Sequence, residues 1–84
     1  MKERKEFISG DVWLASALSI LLNLYPGFWV SNGKTFFVFP ADDATYKAMA
    51  DFSNGIPINA FLYSETVKKL RVEMFSRRGN GGEK

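Results

Sequence analysis

Hydrophobic positions near the start of the chain follow a helical period. Residues three or four apart are apolar or aromatic at Leu14, Leu18, Leu21 and Tyr25. Ser9 or Asp11 stands before them and can accept a hydrogen bond from the free amides of a first turn. Pro26 disfavours a helical conformation in the residue before it. The pattern predicts a first helix from about residue 11 to residue 24, with the polar Ser16, Ser19 and Asn23 on its outer side.

Two β-prone segments flank the dipeptide Asn32-Gly33. Asn and Gly tolerate the positive φ angles of a type I′ turn, whose twist matches that of the adjoining strands, so Ser31 should lie opposite Lys34. Counting outward gives the pairs Val30–Thr35, Trp29–Phe36 and Phe28–Phe37. The hairpin therefore carries aromatic side chains on both faces.

The second half of the chain predicts two more helices joined by an extended link. Asp42-Asp43 opens the first, which ends at Ser53-Asn54-Gly55, where glycine supplies a left-handed cap. Asn59 caps the second, which runs from Ala60 to about Arg77. It presents Tyr63, Val67, Leu70 and Met74 on one stripe, which Phe61, Leu62, Val72 and Phe75 widen.

These elements predict a single α+β domain over residues 1–78, with a flexible C-terminal tail over residues 79–84. An antiparallel hairpin packs against three helices in two layers. Phe7–Ile8 and Ile56–Ile58 would extend the sheet to three or four strands, in a β-α-β-β-α-β-α order close to the ferredoxin-like fold. Pro57 confines the latter segment to an edge or a link, because it lacks an amide hydrogen.

Composition excludes most catalytic chemistry. The 84 residues include no Cys and no His, so zinc fingers, iron–sulfur sites, thiol nucleophiles and Ser–His–Asp relays are ruled out. Asp42-Asp43 suits a helix start better than a metal site. The apolar run from Val12 to Leu24 falls short of the ~20 residues that span a bilayer. We expect no enzyme activity, cofactor, metal, small-molecule substrate or membrane partner.

Trp29, Phe36 and Val38 share one face of the hairpin and form the first candidate site, an interaction surface. We expect them to be buried, either by the third helix or by a second copy of the chain, because large exposed apolar patches are uncommon in monomers. The alternative is an open sheet face on which nucleic-acid bases stack.

Positive charge on the third helix forms the second candidate site. Eleven basic and nine acidic residues give a net charge of +2, and the helix carries Lys68, Lys69, Arg71, Arg77 and Arg78 against Glu65 and Glu73. The default prediction is a solvated helix face. The alternative is a stripe of Lys68, Arg71 and Arg78, which fall near one another at about 100° per residue and could contact phosphates.

Four segments together resemble a known family. They are Phe7-x-Ser9-x-Asp11-x-x-Leu14-Ala15-x-x-Leu18, Asn32-Gly33, Phe37-Val38-Phe39 and Phe52-x-Asn54-Gly55-x-x-Ile58-Asn59. The chain resembles, over residues 6 to about 76, a small domain of unknown function that is common in bacterial genomes, prophages and phages. The resemblance implies a cytoplasmic protein of a bacterium or of a virus that infects one, and it transfers no catalytic residue.

The sequence thus predicts a non-enzymatic interaction module. Its partner is either a second copy of the chain, which gives a homodimer, or another protein. The chain is short, so it buries only roughly 60–65% of its unfolded surface. In addition, 15% of its residues are aromatic. Both features favour self-association through Trp29, Phe36 and the helix-three stripe. The alternative is a nucleic-acid-binding module that uses the helix-three cations and exposed hairpin aromatics. A phage-borne inhibitor that docks on a host protein fits the small size equally well.

Overall fold

A computed structural model of the chain describes the backbone of residues 5–82 and the side chains of residues 5–77. Its elements, in chain order, are β1 (Glu6–Ser9), α1 (Val12–Leu22), β2 (Gly27–Ser31), β3 (Lys34–Pro40), α2 (Asp43–Ser53) and α3 (Ala60–Gly82). Three helices and a three-stranded antiparallel sheet make a small α+β domain, as the sequence predicts.

The sheet has the order β1-β3-β2, with β3 in the centre. The predicted hairpin register is confirmed at every pair from Ser31–Lys34 to Phe28–Phe37. Asn32 and Gly33 have φ angles of 52° and 76°, as a type I′ turn requires. The segment around Phe7 is confirmed as an edge strand, and Phe7 lies opposite Phe39.

The prediction that Ile56–Ile58 adds a strand is wrong. Within the described residues the sheet has three strands, and 56–59 is a link between α2 and α3. The Ile56 amide donates instead to the Asp51 carbonyl of α2 at 3.0 Å, and Pro57 has no amide to offer a ladder. The ferredoxin-like arrangement therefore lacks its fourth strand.

Side-chain caps begin all three helices where the sequence places them. The Asp11 carboxylate accepts hydrogen bonds from the first turn of α1 at 2.9 and 3.3 Å. Ser9, the other candidate cap, accepts from the Asp11 amide instead. Asp42 accepts from the first turn of α2 at 3.0 Å and Asn59 from that of α3 at 2.8 Å. Each cap satisfies an amide that has no partner within its helix.

The backbone of α3 continues to Gly82, beyond the predicted end near Arg77. Glycine is about 1 kcal/mol less favourable than alanine in a helix, so sequence reasoning places the end of the helix before this glycine-rich segment. Residues 83 and 84 lie outside the described part of the chain, and the flexibility predicted for residues 79–84 stays a prediction.

The core lies between one face of the sheet and the three helices. One cluster of buried side chains combines residues from all three helices with those of β3: Val12, Ala15 and Leu18 of α1, Ala48 of α2, Leu70 of α3, and Phe37 and Phe39. α1 contacts both α2 and α3. Because residues 37 and 39 point to the same side of β3, all three helices lie on that side.

The prediction that polar residues mark the outer side of α1 is wrong for Ser16. This serine is fully buried. Its hydroxyl donates to the Val12 carbonyl at 2.7 Å, so the helix itself satisfies the polar group. A spacing of three and four residues therefore does not distinguish a small buried serine from a solvent-facing one.

Thr45 of α2 is fully buried, and its Oγ1 has no hydrogen-bond partner among the described residues. A buried hydroxyl without a partner costs about 1–3 kcal/mol. We expect Thr45→Val, which keeps the shape and removes the hydroxyl, to raise the free energy of unfolding by about 1 kcal/mol in urea denaturation. Thr45→Ser, which keeps the hydroxyl and removes the methyl group, should lower it. A loss of stability in the valine variant would contradict this account.

Candidate interaction surface

The side of the sheet opposite the helices is apolar and uncovered. Phe36 and Val38 point to this side because they alternate with the buried Thr35, Phe37 and Phe39 of β3. The sheet register places Trp29 beside Phe36 and Ile8 beside Val38. We call these four side chains the outer face: Ile8, Trp29, Phe36 and Val38.

Exposure differs across the outer face. Trp29 is 50% exposed and Ile8 is 42% exposed, whereas Phe36 and Val38 are half-buried. The rings of Trp29 and Phe36 meet edge to face, with centroids 5.6 Å apart and an interplanar angle of 72°. This geometry is favourable for an aromatic pair and fixes the position of the Trp29 ring.

A shallow depression of about 470 Å³ lies beside the Trp29 ring. Its lining residues are Glu6, Ile8, Gly27, Phe28, Trp29 and Val38. A Cβ atom at Gly27 would lie 3.7 Å from the Cβ of Val38, an ordinary contact, so the absence of a side chain there contributes to the depression. The outer face is thus concave where Trp29 faces Val38.

The expectation that α3 buries Trp29 is wrong. Leu70 of α3 is fully buried in the core on the other side of the sheet. The Thr35 hydroxyl donates to the Met74 carbonyl at 3.2 Å, which joins α3 to that same side. The side chains predicted to widen the α3 stripe are exposed instead: Phe61, Leu62, Val72 and Phe75. Burial by a second copy, the other alternative, stays a prediction.

Arg77 lies apart from the predicted stripe of Lys68, Arg71 and Arg78 on α3. Arg71 and Arg77 are six residues apart, which places them about 120° apart around a helix with about 100° per residue. The Arg71 guanidinium lies 5.7 Å from the centre of the Trp13 ring of α1. The Arg77 guanidinium lies 4.2 Å from the centre of the Phe28 ring of β2. Each stacks on an aromatic ring at a different flank of α3.

Two of these basic side chains also lie beside acidic ones. Lys68 Nζ is 3.4 Å from Glu65 and Arg77 Nε is 3.1 Å from Glu73. Lys69 is exposed and forms no ion pair with a described residue. The side chain of Arg78 lies outside the described part of the chain. The local charge that a phosphate backbone would meet is therefore partly neutralised.

Trp13 is a second half-exposed tryptophan, at 50% exposure, on the helical side of the domain. The Trp13 ring packs on the Tyr63 ring, with centroids 5.9 Å apart. The Tyr63 hydroxyl donates to the backbone carbonyl of Trp13 at 2.9 Å. Burial raises the pKa of the Tyr63 hydroxyl above its ordinary value, and the Asp11 carboxylate adds to this shift, so the hydroxyl stays protonated as a donor. The contact fastens α3 to α1.

Ile8 is the member of the outer face that sequence reasoning missed. It stands in a short strand whose pairing with β3 joins residues about thirty positions apart. The Asn32-Gly33 turn specifies the register between β2 and β3, whereas no tight turn specifies the register between β1 and β3. The alternation of Phe7 and Ile8 was the available signal, because one of the two had to face outward.

Neither metal-binding nor membrane-spanning features occur in the described residues. They contain no group of three or more His, Cys, Asp or Glu side chains placed to hold a metal ion. None of their helices combines the length and the apolar character needed to cross a bilayer.

Comparisons with known proteins were made at three levels, covering family models, curated proteins and solved structures. The sequence matches no family model. At the level of single proteins, neither the curated proteins nor the solved structures give a significant match.

Proposed function

We propose that this protein is a non-enzymatic interaction module that associates with a second copy of itself through the part of the outer face around Trp29. One observation carries the proposal: all three helices pack on one side of the sheet, so Trp29 and its neighbours are left accessible on the other. Tryptophan is enriched among the residues that contribute most to protein–protein binding. A second chain that contacts Trp29 would bury part of this exposed apolar surface.

The apolar centre of this surface supports a protein partner. Its four side chains carry no charge, while the charged Glu6 and Lys34 flank them on the same side of the sheet. An aromatic centre with a polar rim is typical of a protein interface. The resemblance to a bacterial and phage domain implies a cytoplasmic setting, which we retain as part of the proposal.

The nucleic-acid alternative is less well supported. An exposed Trp29–Phe36 pair on an open sheet face favours it, because unstacked bases pack on such rings. However, α3 lies on the other side of the sheet, so Lys68 and Arg71 are remote from the outer face, and only Arg77, among the described cations of α3, contacts β2, through Phe28. A single strand that stacks on Trp29 would not reach Lys68 without passing around the domain.

Light scattering or sedimentation at several concentrations tests self-association. We expect the wild-type protein to form a dimer at micromolar concentrations, and Trp29→Ala to weaken it by at least tenfold while leaving the fold intact. Phe36→Asp should also weaken it, since it places a charge beside the Trp29 ring and removes the edge-to-face contact that positions this ring. Trp13→Ala is the matched control, because this tryptophan is equally exposed but lies on the helical side. A wild-type protein that stays monomeric at high micromolar concentration would reject the proposal.

A further inference from the structure

β2 lies at one edge of the sheet, with β3 on one side only. In a type I′ turn the Lys34 amide donates to the Ser31 carbonyl, so this pair is hydrogen bonded. Bonded and non-bonded pairs alternate along antiparallel strands. Trp29 therefore also bonds to β3, whereas the backbone amides and carbonyls of Phe28 and Val30 point away from it. No other described residue forms a backbone hydrogen bond with these groups.

The sequence of β2 lacks two features that normally prevent edge pairing. Its sequence, Gly-Phe-Trp-Val-Ser, contains no charged residue and no proline. Two residues of this strand, Trp29 and Val30, are 50% and 39% exposed. The opposite edge, β1, is shorter and begins with the charged Glu6. β2 is therefore the edge that can accept another strand.

We propose that β2 pairs in an antiparallel manner with β2 of a second copy, about a two-fold axis at Trp29, and so joins two sheets into one of six strands. The proposal rests on the proposed self-association and specifies its geometry. Phe28 of each chain would pair with Val30 of the other, which gives four backbone hydrogen bonds. The two Trp29 residues would form the non-bonded pair at the axis, with both rings on the outer face.

Self-complementarity argues for a second copy as the occupant. Phe28 and Val30 each present one donor and one acceptor, and a two-fold axis midway between them satisfies all of these groups. In one alternative symmetric register Val30 faces Pro26, which has no amide; in the other Phe28 faces Asn32, which lies in the turn. β2 itself carries no charged side chain, so no like charges lie opposite each other on the paired strands. Arg77, which stacks on Phe28, belongs to α3 and lies on the core side of the sheet.

Amide hydrogen exchange, followed by NMR below and above the dissociation constant, tests this geometry. We expect exchange at Phe28 and Val30 to slow by at least tenfold on association. Trp29 and Ser31 should already exchange slowly at low concentration, because their amides bond to β3. A dimer in which Phe28 and Val30 still exchange rapidly would overturn edge pairing and leave self-association standing. A protein that is monomeric at all concentrations would overturn both.

Val30→Pro provides an independent test. It removes one outward amide without removing a hydrogen bond to β3, and proline is accepted at such edge positions. We expect the dimer to weaken by at least tenfold, whereas Val30→Thr, which keeps the amide, should dimerise nearly as the wild type does. Wild-type affinity in a folded proline variant would overturn edge pairing. If the proline variant does not fold, the exchange measurement on the wild-type protein decides.

Discussion

Replacing Phe37 with alanine is expected to lower the free energy of unfolding by about 3–5 kcal/mol. Phe37 is fully buried on the central strand, and its ring meets Phe28 edge to face with centroids 5.7 Å apart. Alanine would remove these contacts and leave a cavity between the sheet and the helices. Since small domains have a total stability near the low end of about 5–15 kcal/mol, much of the variant should be unfolded.

Phe36→Ala is the matched control for this experiment, since it removes the same side chain from the next position of the same strand. Phe36 lies on the outer face and is half-buried, so its replacement should cost about 1 kcal/mol. Urea denaturation followed by circular dichroism measures both variants. Equal losses of stability would show that the register or the assignment of the two faces is wrong.

Leu70→Ala should lower the free energy of unfolding by about 2–5 kcal/mol. This leucine is fully buried where α3 packs on the core, and it belongs to the same cluster as Leu18 and Phe37. Val72, two residues later, is 67% exposed, so Val72→Ala should change stability by no more than about 0.5 kcal/mol. Thermal melting of the two variants compares the two sides of one helix. A stable Leu70 variant would mean that α3 does not pack against the core.

The parts of the fold that could be predicted are those specified by neighbouring residues. Asn32-Gly33 determines the hairpin register through its positive φ angles, and Asp11, Asp42 and Asn59 determine where helices begin through side chains that reach amides two or three residues away. These interactions depend on a few consecutive residues, so one sequence is enough to identify them.

The side of the sheet on which α3 packs could not be predicted. Its stripe of Tyr63, Val67, Leu70 and Met74 is equally suited to cover either face of the hairpin, because both faces carry aromatic residues. A periodic pattern shows which side of a helix is apolar, but not which of two apolar surfaces it meets. The outcome depends on contacts between distant residues, such as that between Thr35 and Met74.

The same difference between local and long-range interactions applies to the candidate sites. Placing Trp29, Phe36 and Val38 on one face required only the hairpin register, and the structure brings them together. Whether the α3 cations share a surface depends on where their side chains turn. Helical spacing separates Arg77 from Arg71, but it could not predict the contact of Arg77 with Phe28, a residue 49 positions earlier.

A sheet covered on one side separates the residues that fold this domain from those that we propose to contact a second molecule. Along β3 the two sets alternate, with Phe37 and Phe39 in the core and Phe36 and Val38 outside it. Selection can therefore alter the outer positions one at a time while the interior stays unchanged. Descendants of one ancestral scaffold could exchange binding partners through a few substitutions, without first acquiring extra stability to tolerate them.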